Sequence, residues 1–164
     1  LKPTNSMGVL GLPVFGGITL LSGSYNDKNN DPVEYGGNDS GLFLECCLIE
    51  VGMQRHIVST EIQGRSGTIK QFSSNGDYAV TIKGILASSR AGVYPTVDME
   101  VLQSFCRAED SFKIECPYLQ DFFQIGNLVV QYASFPQLEG NITVQPFELK
   151  CLSDEPVILK TKDA

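Results

Sequence analysis

The chain has 164 residues, enough for one domain with its own core, and 42% of them are hydrophobic, which excludes global disorder. A net charge of −7, with only 12 scattered Lys and Arg, excludes a nucleic-acid-binding face, because phosphate recognition needs clustered cations. No apolar run reaches the roughly 20 residues that span a bilayer, so no membrane-crossing helix is expected.

The chain begins at Leu1 without an initiator Met, as expected of a trimmed product or a piece of a longer one. Residues 1–24 are Gly-rich and apolar and read as an arm, with Val14 to Leu20 suited to a strand–turn–strand. Such an arm cannot bury itself alone. It docks either on its own core or on a neighbouring subunit, which makes Leu12, Val14, Phe15, Ile18 and Leu20 candidate interface residues. Residues 25–41 are polar and turn-forming throughout and read as a long exposed loop. Tyr25 and Tyr35 at its ends join the candidate interface. The Asn and Asp residues between 26 and 31 lack the spacing and closing Glu of a calcium loop.

Residues 42–164 read as a single β-rich domain. Leu42 to Val51 is a continuous apolar run and predicts one buried strand. Three alternating runs follow, His56 to Ile62, Thr68 to Phe72 and Tyr78 to Leu86, with the period of half-buried antiparallel strands. Gly64-Arg65-Ser66-Gly67 predicts the first turn. Asn75-Gly76 predicts a second, being the strongest short-range hairpin signal. Pro95 and Thr96 start a helix that runs to Arg107, with Val97, Val101, Leu102 and Phe105 forming one apolar stripe. Asp98 and Glu100 suit the positive end of its dipole. Phe112 to Cys116 alternates again, residues 118–126 suit a helical turn capped by Gly126, and Asn127–Ala133 and Asn141–Leu152 read as the last long strands. Val157 to Lys160 suits a brief further pairing. The fold class is mainly β (α+β), an antiparallel β-sandwich or small barrel with one packed helix near 96–107.

Chemistry is sparse. The five cysteines, Cys46, Cys47, Cys106, Cys116 and Cys151, all lie in apolar settings and read as reduced, buried residues. His56 is the single histidine, so it is the one distinctive acid–base candidate, and a His-rich metal site is excluded. Gly64-Arg65-Ser66-Gly67 does not precede a helix and lacks the geometry of a phosphate loop. No catalytic residue, cofactor or metal is expected, and the protein is expected not to be an enzyme.

Ile57-Val58-Ser59-Thr60, residues 64–70, residues 76–84 and Tyr94-Pro95 together resemble a family of DUF6046-like domains from Bacteroidetes bacteria and their phages. Leu12-Pro13-Val14-Phe15, Ile18-Thr19 and Ser153-Asp154 also fit, so the resemblance extends over nearly the whole chain. The matching residues belong to turns and strands and carry over no catalytic group. The resemblance implies a structural subunit of a phage tail, baseplate or related contractile injection machine, similar in fold to tail-tube and tail-adaptor subunits. It implies a virion location after assembly in the bacterial cytoplasm. It also implies a homo-oligomeric ring, a hexamer or a multiple of one, with neighbouring tail proteins as further partners, and no membrane or sequence-specific nucleic acid. Edge strands and the arms 1–24 and 25–41 would join neighbours. Deletion of residues 1–24 is then expected to abolish assembly and leave the monomer folded. The alternative is a ligand- or glycan-binding β-domain, which requires Tyr25, Tyr35, Tyr94 and Tyr118 on one exposed face.

Overall fold

The computed structural model describes residues 17–37, 41–45, 47–64, 66–88, 92–140 and 143–154. Within them the elements run β1 (Ile18–Leu20), β2 (Gly23–Asn26), β3 (Pro32–Tyr35), β4 (Leu42–Leu44), β5 (Cys47–Glu61), β6 (Thr68–Ala87), α1 (Thr96–Arg107), β7 (Phe112–Glu115), α2 (Pro117–Phe123), β8 (Asn127–Ser134) and β9 (Val144–Ser153). Seven strands form one sheet in the order β4-β1-β7-β8-β9-β6-β5, with every described pair antiparallel. β2 and β3 form a separate hairpin.

The sheet is open but rolled. β4 and β5 occupy its two opposite edges, yet β4 ends at Leu44 and β5 begins at Cys47. Three residue steps reach at most roughly 11 Å, whereas seven flat strands would spread over about 29 Å. The sheet must therefore curl until its edges nearly meet. No ladder joins β4 to β5 among the described residues, so the barrel does not close.

Rolling places one face of the sheet's body inside. Leu149 lies opposite Ile82 on β6, Cys151 opposite Val80, and Leu20 of β1 opposite Leu42 and Ile114. Leu128 of β8 faces Phe112 of β7. All of these side chains are buried, and full burial of a Leu, Ile or Phe stabilises by about 1.5–3 kcal/mol. Helix α1 closes the core with Leu102 and Phe105. The Phe105 ring meets Phe112 edge-on at 5.3 Å and Tyr35 at 5.5 Å, so one helix residue ties the β2–β3 hairpin to the sheet. Ser104 reinforces the tie: its Oγ donates to the Val101 carbonyl at 2.6 Å and accepts the Gly36 N–H at 2.9 Å. Gly36 has φ +90, and a Cβ there would fall 2.8 Å from Phe105 and 2.7 Å from Ser22, so both backbone and space demand glycine.

Buried polar groups are matched. Gln145 donates to the Pro136 and Pro146 carbonyls, each at 2.8 Å, and accepts the Tyr94 hydroxyl at 2.8 Å. On the outer face Lys83 and Glu148 form a cross-strand pair at 3.5 Å, and the Lys150 ammonium lies 5.4 Å over the Tyr132 ring.

Several expectations change. The run from Leu42 to Val51 is two strands, because the chain bends there to pass from one edge to the other. The turn expected at Asn75-Gly76 does not exist: β6 is continuous from Thr68 to Ala87, and Gly76 lacks the positive φ of a tight hairpin turn. The loop of residues 25–41 contains most of the β2–β3 hairpin. Its Asp27 carboxylate accepts the N–H of Asn29 at 2.8 Å and of Asp31 at 2.9 Å, which uses the lone pairs that suggested a cation. In α1, Val97 points to solvent while Leu102 and Phe105 are buried. The turn at 118–126 is α2, ended by Gln124 in the left-handed region rather than by Gly126. The pairing expected at Val157–Lys160 lies outside the described residues. The deletion argument also fails. β1 sits between β4 and β7 with Ile18 and Leu20 fully buried, so removing residues 1–24 would remove a core strand.

Leu20→Ala is expected to cost about 2–5 kcal/mol of folding stability, read from urea denaturation of the purified chain. Gly36→Ala should cost about 2 kcal/mol or more by strain and overlap. A Gly36→Ala midpoint equal to the parent's would show that the loop relaxes freely.

Candidate functional site

The feature that stands apart from the body is the outer half of the β5–β6 pair. β9 accompanies β6 only from Ala87 to Ala79. Beyond that point β5 and β6 pair only with each other among the described residues, from Met53 opposite Tyr78 to Glu61 opposite Thr68. At the strand rise this two-stranded ribbon reaches about 30 Å from the body. Every described residue from 52 to 75 is exposed. The turn at its tip is the one foreseen at residues 64–67, with Gly64 at φ +83 and Gly67 at φ +94.

The root of the ribbon is anchored. Tyr78 donates its N–H to Ser153 Oγ at 2.9 Å, and its ring packs edge-on against Phe123 of α2 at 5.9 Å. Phe123 in turn meets Tyr118 at 5.6 Å. Two register shifts follow, between Met53 and Arg55 and between His56 and Ile57. Bulges of this kind bend a strand and sharpen its twist. Gly76 lies in the first bulge, where a Cβ would come within 3.0 Å of the Gln54 carbonyl oxygen. The Asn-Gly pair is there to let the strands approach and not to turn the chain.

Apolar side chains occupy both faces of the ribbon. Ile57 and Phe72 are directly opposed on one face. Val58 and Ile69 lie on the other, which also carries Thr60 and Gln71. Phe72 is 61% exposed, and Met53, Ile57, Val58, Ile62 and Ile69 are each more than 40% exposed. A lone two-stranded hairpin is marginally stable, and a surface this apolar is uncommon on a monomer. The ribbon also differs in charge from the body. Its Arg55, Arg65 and Lys70 outnumber Glu61 and Asp77, so it is net positive in a chain of −7.

A concavity of about 210 Å³ lies between the β2–β3 hairpin and α1, lined among others by Tyr25, Val33, Glu34, Glu100 and Arg107. It is shallow and open. Burial, with the Asp110 carboxylate nearby, pushes the Tyr35 phenol above its usual value.

The expected interface residues fare differently. Leu12, Val14 and Phe15 lie outside the described residues. Ile18 and Leu20 are core residues, with no surface left for a neighbour. Tyr35 is buried under α1, and Tyr25 packs on it at 6.3 Å. The structure does not gather the tyrosines of a glycan face: Tyr94 is held by Gln145, and Tyr118 stacks with Phe122 and Phe123. Reading the runs at 56–62 and 68–72 as half-buried strands missed the ribbon. The clue lay in apolar residues falling on both parities, as in Ile57-Val58, which one buried face cannot accommodate.

Among the described residues no three His, Cys, Asp or Glu side chains gather to hold a metal, and no helix is long and apolar enough to cross a membrane. Cys106, Cys116 and Cys151 are free thiols. Burial pushes Cys106 up to about 11 and Cys151 up to about 12, the latter helped by Cys106 itself. Thiols so disposed are neutral and unreactive, the reverse of a catalytic nucleophile. His56 sits on the exposed ribbon, opposite Ser74.

The model of the DUF6046 family, described as a domain of unknown function, matches residues 42–164. No curated protein matches the chain. The fold is similar to the crystal structure of the Dit protein (gp 19.1) of phage SPP1, described as a paradigm of the hub adsorption apparatus in phages infecting Gram-positive bacteria. The TM-score is 0.50 at 14% identity, over 85% of this chain and 50% of that one. The chain thus spans about half the length of the Dit chain it matches. Two structures of gene transfer agent particles share less of the fold. The tail of an empty particle with C6 symmetry gives TM-score 0.40 at 11% identity, over 83% of this chain and 91% of that one. The virion of a native particle gives TM-score 0.37 at 10% identity, over 84% and 92%.

The thiols carry a pH prediction. Both folded values lie above the ordinary 9.0, so above pH 9 the unfolded chain sheds protons that the folded chain keeps. Stability is expected to be insensitive to these thiols below pH 9 and to fall as pH rises beyond it. Urea midpoints of the parent and of Cys151→Ala across pH 8–10.5 check this, the variant showing the shallower decline.

Proposed function

This chain belongs to the DUF6046 family, and we propose that it is a non-enzymatic structural subunit of a phage-type tail or a related injection machine. The observation that carries the reading is a fold shared with a tail hub protein over most of the chain, from which an exposed apolar ribbon projects. A rigid rolled sheet supplies the body, and assembly supplies the function. Subunits associate into a ring, six or a multiple of six in number, within a virion, beside other tail proteins. The mechanism needs no reacting group: burial of apolar surface on association drives it, and rotational symmetry closes it. An acidic body suits a passage through which DNA moves without adhering, since like charges repel.

Light scattering over a range of concentrations tests the reading. A discrete species near six or twelve times 17.9 kDa is the expected result. Mass spectrometry of tail particles purified from the producing cells is the companion measurement. Absence of the chain from those particles would overturn the proposal.

A further inference from the structure

We propose that the ribbon, residues 53–78, is the intersubunit arm of this protein and that its occupant is a second copy of the same chain. The proposal rests on the tail-subunit reading and deepens it by naming the contacting segment. It moves the arm from residues 1–24, whose strand is consumed by the core, to a segment that the core leaves bare.

Three observations point to a second copy. The first is charge. The ribbon is net positive while the remainder of the chain is more negative than the −7 of the whole, so the body of another copy is a complementary surface. The second is area. A ribbon about 30 Å long and about 10 Å wide offers roughly 300 Å² on each face. Covering both faces approaches the roughly 800 Å² per partner of a stable interface. The third is the distribution of apolar groups. Ile57 and Phe72 mark one face and Val58 and Ile69 the other. Two ribbons stacked symmetrically would bury one face each and leave the other wet. Insertion of the ribbon along the body of the next copy covers both, and that contact is head-to-tail, the kind that builds rings.

The anchoring at the root fits the role. Tyr78, held by Ser153 and Phe123, fixes where the ribbon leaves the body. The two bulges set its direction before any partner arrives, so less order is lost on docking. Beyond Tyr78 both ribbon edges also carry backbone groups that no third strand joins among the described residues, so a neighbour's strand can add there.

The experiment uses the full chain with substitutions confined to the ribbon, at side chains that are exposed and lie outside the buried core. Ile57→Ser with Phe72→Ser removes one apolar face, and Arg55→Glu with Lys70→Glu reverses the charge. Each pair is expected to raise the concentration for half-assembly at least tenfold by light scattering, with the thermal unfolding temperature of the monomer nearly unchanged. Benzoylphenylalanine in place of Phe72 should photocrosslink to a product of twice the chain mass, joined to a body peptide outside residues 53–78. Two results overturn the proposal, and a third overturns its head-to-tail form. If the parent stays monomeric at all concentrations, the second-copy assignment fails, and the tail reading then stands or falls separately on whether the chain is found in particles. If the parent assembles and both ribbon variants assemble equally well, another surface makes the contact while the tail reading stands. A crosslink from Phe72 only to the ribbon of the other copy would replace head-to-tail insertion by symmetric stacking.

Discussion

The β5–β6 ladder is the constraint on which the rest of this structure depends. It runs from Cys47 opposite Gly84 to Glu61 opposite Thr68, first as two strands of the body and then as a structure of its own. Inside the body it is flanked by β9 and filled by Val80 and Ile82. Outside it keeps its hydrogen bonds and loses its core. Backbone pairing alone carries the chain past the last buried residue, and bulges take up the twist that a third strand would otherwise share.

The same ladder explains the rolled sheet. β5 must lie beside β6 at one edge, while β4, a few residues earlier, closes the other edge against β1. The short link between them forces curvature, and curvature produces an interior that a flat seven-stranded sheet would lack. α1 then seals that interior through Phe105, whose edge-on contacts to Phe112 and Tyr35 join three elements at one point. The positive-φ Gly36 and the Ser104 hydroxyl hold the β2–β3 hairpin against the same helix turn. Function in this reading is a matter of surfaces: a stable body lets a poorly covered ribbon be presented in one orientation.

Burial separates what belongs to the monomer from what is available to an assembly. Ile18 and Leu20 look as sticky in sequence as Ile57 and Phe72, yet the first pair is spent on the core and the second stays more than half exposed. The cysteines follow the same rule in a minor key. Raised thiol values mark Cys106 and Cys151 as packing residues and leave no activated nucleophile among them.

Local pattern by itself determined the class of the fold, α1 from Thr96 to Arg107, the strands after it, and the turn at Gly64–Gly67. Those features depend on short-range physics: helical spacing of Leu102 and Phe105, a proline start, alternation of inward and outward side chains, and glycines able to take positive φ. Tertiary structure alone decided three other things. It split the run from Leu42 to Val51 between opposite edges of the sheet, because curvature is a property of all seven strands together. It turned Asn75-Gly76 from a hairpin turn into a bulge, because β5 continued alongside and supplied a partner that the local sequence does not announce. It left the ribbon bare, because alternation reports only that a side chain prefers cover; whether cover comes from the same chain or another depends on which strands end first, and β9 ends beside Ala79.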